Sequence, residues 1–179
     1  MLAVRLLPIG RRPALPALLI LAITGCTPGE PEVIKSGNGR FQLTVPAGWR
    51  EDPALHDTAG LRASDRGQEM YVIIISESKQ DFTDDMTLEG FTTMSRESVM
   101  KLVSDPQASP PATVTVAETY PGMQYGIHGR IENVRVAYLV TNVETPKDFH
   151  QIIAWTRGSR IAQNETKLQE LVNTFRVND

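Results

Sequence analysis

The chain of 179 residues holds a single cysteine, Cys26, so it can build neither an internal disulfide framework nor a thiolate-rich metal site. Histidine is almost as scarce: His56, His128 and His150 are the three, and none stands in a His-Glu-x-x-His spacing. No serine occupies a Gly-x-Ser-x-Gly elbow, and "SGNGR" lacks the third glycine and the preceding strand of a dinucleotide site. The apolar run from Ala14 to Ile23 is broken by Pro16 and is shorter than the ~20 residues that span a bilayer. Lys and Arg number 18 against 21 Asp and Glu, with a pI near 5.7. Nucleic-acid binding requires clustered cations to neutralise phosphates, and this balance gives no basis for it.

What remains is the composition of one globular domain, 22% charged and 41% hydrophobic. Ahead of it, Arg5, Arg11 and Arg12 precede the apolar run, the order of charge and hydrophobicity in an export signal. Removing that signal takes away three of the 18 bases and no acid, leaving 15 against 21 and a formal charge of −6 on the body.

Ile23, Thr24, Gly25 and Cys26 close the apolar run. They resemble the lipobox of bacterial lipoproteins, an aliphatic residue and two small ones before a modified cysteine. The resemblance implies a signal peptide over residues 1–25, cleavage between Gly25 and Cys26, and lipid attachment at the Cys26 thiol. Two or three acyl chains hold a protein stably on a membrane, whereas one is marginal. Thr27, rather than Asp, follows the cysteine, which in that family favours the periplasmic face of the outer membrane where the host has one. Residues 26–38 then form the lipidated cysteine and a flexible tether, since "TPGEPEVIKSGN" has two prolines, two glycines and no amphipathic period.

The globular domain is expected over 39–179. Phe41, Leu43 and Val45 alternate with Gln42 and Thr44 in a half-buried strand that Pro46 ends. "LRASD" and "EMYVIIISES" flank Arg66-Gly67 as a hairpin; the second arm is apolar without alternation from Met70 to Ile75, as in a central strand covered on both faces. Thr87 caps a helix whose stripe is Leu88, Phe91, Ser95, Val99 and Leu102, and "DPQASPP" stops it. Four strand-like runs follow, and a closing helix from Ser159 to Thr174 presents Ile161, Leu168, Leu171 and Val172, with Phe175 just beyond. The expected class is α+β, an antiparallel sheet of about six to seven strands with helices packed on it.

The opening "FQLTVPAGW", the helix before a four-strand meander and the closing "LVNTFRV" together resemble the PsbP/Mog-like α/β sandwich, and in particular its DcrB-like bacterial members. That resemblance implies a fold used for binding and assembly, with no catalytic residues to carry over and no cofactor. It implies a non-catalytic module that binds another envelope protein, held to the membrane by its lipid.

Two other readings stay open. A carrier of a hydrophobic ligand would need an apolar cavity of several hundred cubic ångströms. A small periplasmic hydrolase or metal-binding protein would need His128, Arg130 and nearby acids to converge in one pocket. His128 and His150 are expected as exposed or partly covered strand residues. Asp81, Asp84 and Asp85 lack the spacing of an EF-hand loop and favour the following helix dipole, so no metal is expected there. Trp49, Tyr71, Tyr125, Tyr138 and Trp155 could line a groove but at strand spacing fit core packing. The sequon at Asn164 falls inside the predicted closing helix and implies no modification.

Overall fold

The computed structural model describes residues 29–83 and 85–178. Eleven strands and two α-helices are found among them, together with three short 3-10 turns. The larger sheet has eight strands: β3 (Arg50–Glu51), β4 (Leu61–Asp65), β5 (Met70–Ser78), β10 (Asp148–Arg157), β9 (Val134–Glu144), β8 (Tyr120–Ile131) and β6 (Ser104–Ala108) in that order, with β7 (Ala112–Val116) also on β8. Every pairing in it is antiparallel. A second sheet joins β1 (Glu32–Lys35), β2 (Phe41–Val45) and β11 (Arg176–Val177). Helix α1 (Leu88–Met100) lies between β5 and β6 in the chain, and α2 (Ile161–Val172) follows β10.

The missing alternation in β5 is explained by its place. It sits between β4 and β10 with both faces covered, so that Val72 and Ile74 enter one apolar cluster while Ile73 enters another. The first cluster lies under α2 and the small sheet, where Leu43, Leu168, Phe175 and Ile152 are fully buried. The second lies under α1, with Val99, Ile127, Val140 and Ile153. Each such side chain contributes about 1.5–3 kcal/mol by leaving water.

Helix α1 begins where Thr87 Oγ1 accepts from the Gly90 amide, and Leu88, Phe91, Ser95 and Val99 face inward as the spacing requires. The middle of this face is polar. Ser95 Oγ donates to Asn142 Oδ1 at 3.0 Å, Asn142 Nδ2 donates to Thr92 Oγ1 at 3.2 Å, and Gln151 Nε2 donates to Ser95 Oγ at 2.5 Å. Tyr125, whose hydroxyl is 3.0 Å from Ser95 Oγ, has its phenol pKa pushed up by burial.

Several expectations are corrected. The sheet has eight strands rather than six or seven. Residues 32–38, read as tether, are folded: β1 pairs with β2, Glu32 opposite Val45 and Lys35 opposite Gln42, and Ile34 is buried. "SGNGR" is the turn of that hairpin, with Gly39 at φ +71° and Ser36 Oγ donating to Asn38 Oδ1 at 2.8 Å. Helix α1 ends at Met100, before "DPQASPP" is reached, and that stretch supplies β6 instead, because Pro106 on an edge strand forfeits no ladder bond that a neighbour needs. Leu102, expected on the apolar stripe of the helix, is exposed.

Candidate functional site

β8 is twelve residues long and carries two partners on one edge, β6 on its later half and β7 on its earlier half. Between them the chain bridges the gap at Ser109, whose amide donates to the Gly126 carbonyl at 3.0 Å and whose Oγ accepts from the Gly126 amide at 2.9 Å. Opposed residues of an antiparallel pair share a face. Gln124, Gly126, His128 and Arg130 therefore look toward the α2 side of the sheet, as do Arg135 and Leu139 of β9.

Two clefts lie along this face and meet at His128. The first, about 430 Å³, takes in Asp105, Gln107, Arg130 and Arg135. The second, about 450 Å³, runs between Pro110 and Ala112 on one wall and Ile161, Glu165 and Leu168 of α2 on the other. The result is one groove, basic at the β8–β9 turn and more apolar along α2. Close packing at this end of the sheet needs small residues: a Cβ on Gly129 would stand 2.5 Å from Val103 Cγ2 on the α1 side, and one on Gly158 would stand 2.9 Å from Arg135 Cβ.

Arg130 and Arg135 are paired directly across the ladder. Like charges so placed repel. Among the described residues neither guanidinium has an ion pair, although Arg157 and Arg160 both reach Glu69. The sequence carried this signal: in "GRIENVRV" the two arginines are equidistant from Glu132-Asn133, and a two-residue turn there sets them opposite. The expectation for Arg130 did not include its partner.

His128 and Arg130 thus do share a concave site with an acid, Asp105. The site holds no hydrogen-bonded nucleophile and base, since His128 has no side-chain partner among the described residues. The serine–histidine contact of the fold is elsewhere, between Ser76 Oγ and His150 Nδ1 at 2.5 Å. His150 was expected to be exposed or partly covered; it is 1% exposed, enclosed by Phe41 and Phe175. Its pKa is held down to about 4, chiefly because burial penalises the cation.

The other singled-out residues separate. Asp81 and Asp85 are exposed, Asp84 lies outside the described residues, and no group of three or more His, Cys, Asp or Glu able to hold a metal occurs among those described. On the α1 side Tyr71 stacks on Trp155 at 5.3 Å and Tyr138 packs tilted against Trp155 at 5.9 Å, across three adjacent strands, whereas Trp49 belongs to the opposite core. Asn164 is fully buried and donates to the Gln68 carbonyl and Thr156 Oγ1. An apolar depression of about 420 Å³ between β2 and α2 reaches Pro31, Trp49 and Leu171. Gly25 and Cys26 lie outside the described residues, and no helix among the described residues is long and apolar enough to cross a membrane.

No protein-family model and no curated protein matches the sequence. Solved structures do match. LpqN of Mycobacterium tuberculosis, described as involved in cell envelope biogenesis, is similar at a TM-score of 0.61 and 14% identity, over 84% of this chain and 91% of that one. The PsbP of the cyanobacterium Synechocystis is similar at 0.58 and 15%, over 86% and 96%. The Ran-binding protein Mog1p of Saccharomyces cerevisiae is similar at 0.54 and 12%, over 84% and 96%. Likeness at these identities is a statement about architecture, and the architecture of this domain is the PsbP/Mog-like α+β fold.

Proposed function

We propose that this chain is an envelope lipoprotein, attached through Cys26, whose domain binds another protein in the groove along β8 and performs no chemistry on it. The observation that carries the reading is the lining of the groove along α2, where Ile161 and Leu168 stand beside Glu165 and Gln169 and where, among the described residues, no activated nucleophile is found. Such a surface offers charge complementarity and apolar contact. Mog1p, which shares the fold, is a Ran-binding protein, and LpqN is tied to the envelope. Where the host has an outer membrane, its periplasmic face is the favoured location, on the strength of Thr27. A carrier reading is less well supported, since the apolar depression beside Trp49 lies between β2 and α2 and not inside the core.

Photo-crosslinking residues placed at Ala112 and at Gln169, on the two walls, test the binding reading in intact cells. One discrete protein adduct from both positions, absent from Glu97 on the outer face of α1, is expected. Adducts that do not differ between the groove and Glu97 refute it. The intact mass of protein extracted from membranes tests the anchor: an unmodified chain, or one cut away from Cys26, refutes that part.

A further inference from the structure

The chain joins the domain at the same end from which the β8–β9 turn projects. Met70, Thr156, Ala137 and His128 form one row across β5, β10, β9 and β8. Pro31, Val45 and Met70 share the depression between β2 and α2, so β1 begins at the level of that row. Three strand spacings separate Met70 from His128, about 15 Å. With β1 starting at Glu32, only six residues, Cys26 to Pro31, link the lipid site to the sheet, a reach of about 20 Å.

That end of the molecule carries exposed apolar side chains among its charged ones. Val33, Leu102, Ile131 and Val134 are four of the five large hydrophobic residues exposed among those described; the fifth, Met94, is on α1. Ile131 and Val134 are opposed at the turn, and Leu102 adjoins Val103, which packs on Gly129. Arg130 and Arg135 stand immediately behind them. Glu132 in the turn and Asp105 on β6 are acids of this end, as is Glu69, which is paired with Arg157 and Arg160; among the described residues none of the three forms a salt bridge with Arg130 or Arg135.

We infer that this end of the domain lies on the membrane, with Leu102, Ile131 and Val134 in the headgroup layer and Arg130 and Arg135 on the phosphates of anionic lipids. Apolar side chains rimmed by arginines are the chemistry of interfacial binding, in which cations are drawn to an anionic surface. The inference rests on the proposed attachment at Cys26, because the short link is what brings the surface within reach. It also gives the repelling arginine pair a counter-charge. Only the basic end of the groove meets lipid; the walls formed by Ala112 and Gln169 continue away from it.

The test uses the lipid-modified protein. Cys26 is the chain's only cysteine and is acylated in that form, so a Val134→Cys variant carries one free thiol for an environment-sensitive dye. Lys147→Cys, in the turn at the opposite end of the sheet, is the control. On vesicles of phosphatidylglycerol and phosphatidylethanolamine the dye at 134 should brighten severalfold and shift to the blue while that at 147 stays unchanged. Adding Arg130→Gln and Arg135→Gln should remove most of that change. A protein that is lipid-modified and floats with the vesicles, yet whose dye at 134 behaves like that at 147, overturns the orientation and leaves the anchor standing. An unmodified mass overturns the anchor and the orientation with it. Shielding at 134 in native membranes but not in pure lipid assigns the surface to a protein and overturns the lipid contact.

Discussion

Ser76 Oγ and His150 Nδ1 face each other across β5 and β10 at 2.5 Å, sealed in by Phe41 and Phe175 with ring centroids 5.4 and 5.0 Å from the imidazole. On the other side of the ring Thr145 Oγ1 stands 3.4 Å from Nε2 and donates its own proton to the Asp148 carbonyl. Thr145 therefore accepts from Nε2–H, and Nδ1 accepts from Ser76. The imidazole is neutral and satisfied, a component of the core.

This arrangement makes stability depend on pH. The folded pKa, about 4, lies below the ordinary 6.5, so the unfolded chain takes up a proton in that interval that the native state refuses. The contribution is full above pH 6.5 and is lost as pH falls from 6.5 through 4, by about 3 kcal/mol. Urea unfolding across this range should show a steeper decline for the native sequence than for His150→Gln. Parallel declines would refute the assignment.

Asn142 links α1 to the sheet through Ser95 and Thr92. Asn142→Ala takes the donor from Thr92 Oγ1 and one of three partners from Ser95 Oγ in a buried setting, and should cost about 1–3 kcal/mol. Thermal unfolding measures it, and Thr93→Ala, on the exposed side of α1, should change stability by less than about 0.5 kcal/mol.

Arg135→Thr relieves the opposition to Arg130. A gain of about 0.2–1 kcal/mol is expected from denaturant unfolding at low salt, shrinking as salt is added. Stability that falls instead would mean that the pair is held by contacts within the domain.

The folded status of residues 32–38 is open to truncation. A chain beginning at Pro31 should unfold at the temperature of the longer protein, whereas one beginning at Gly39 loses β1 and the packing of Ile34. Ile34→Ala alone should cost about 2–4 kcal/mol. Equal melting of the two truncations would return this segment to the tether.

Strongly patterned elements could be read from the sequence. Phe41, Leu43 and Val45 alternate because one face of β2 is dry, and β5 fails to alternate because neither face is wet. Elements whose pairing is decided by distant partners could not. β1 offers only Ile34 to the core, and its composition is that of a linker; it is a strand because β2 presents a free edge. β6 contains a proline and is tolerated as an edge. His150 looked like His128 in local pattern, both alternating with apolar neighbours, and their difference arises from Phe41 and Phe175, more than a hundred residues before and twenty-five after. At the groove, Arg130 was legible and its opposition to Arg135 was implicit in the turn, but the wall supplied by α2 depends on how the helix crosses β9 and β10.

β2 is flanked by the first and last strands of the domain, and the Asn178 amide closes the clasp on the Arg40 carbonyl at 2.8 Å. A pull applied at the amino-terminal side of Glu32 travels along the axis of β1. It strains the hydrogen bonds to β2 together instead of opening them in succession. The amino-terminal entry to the domain is thereby suited to bearing mechanical load along the strand.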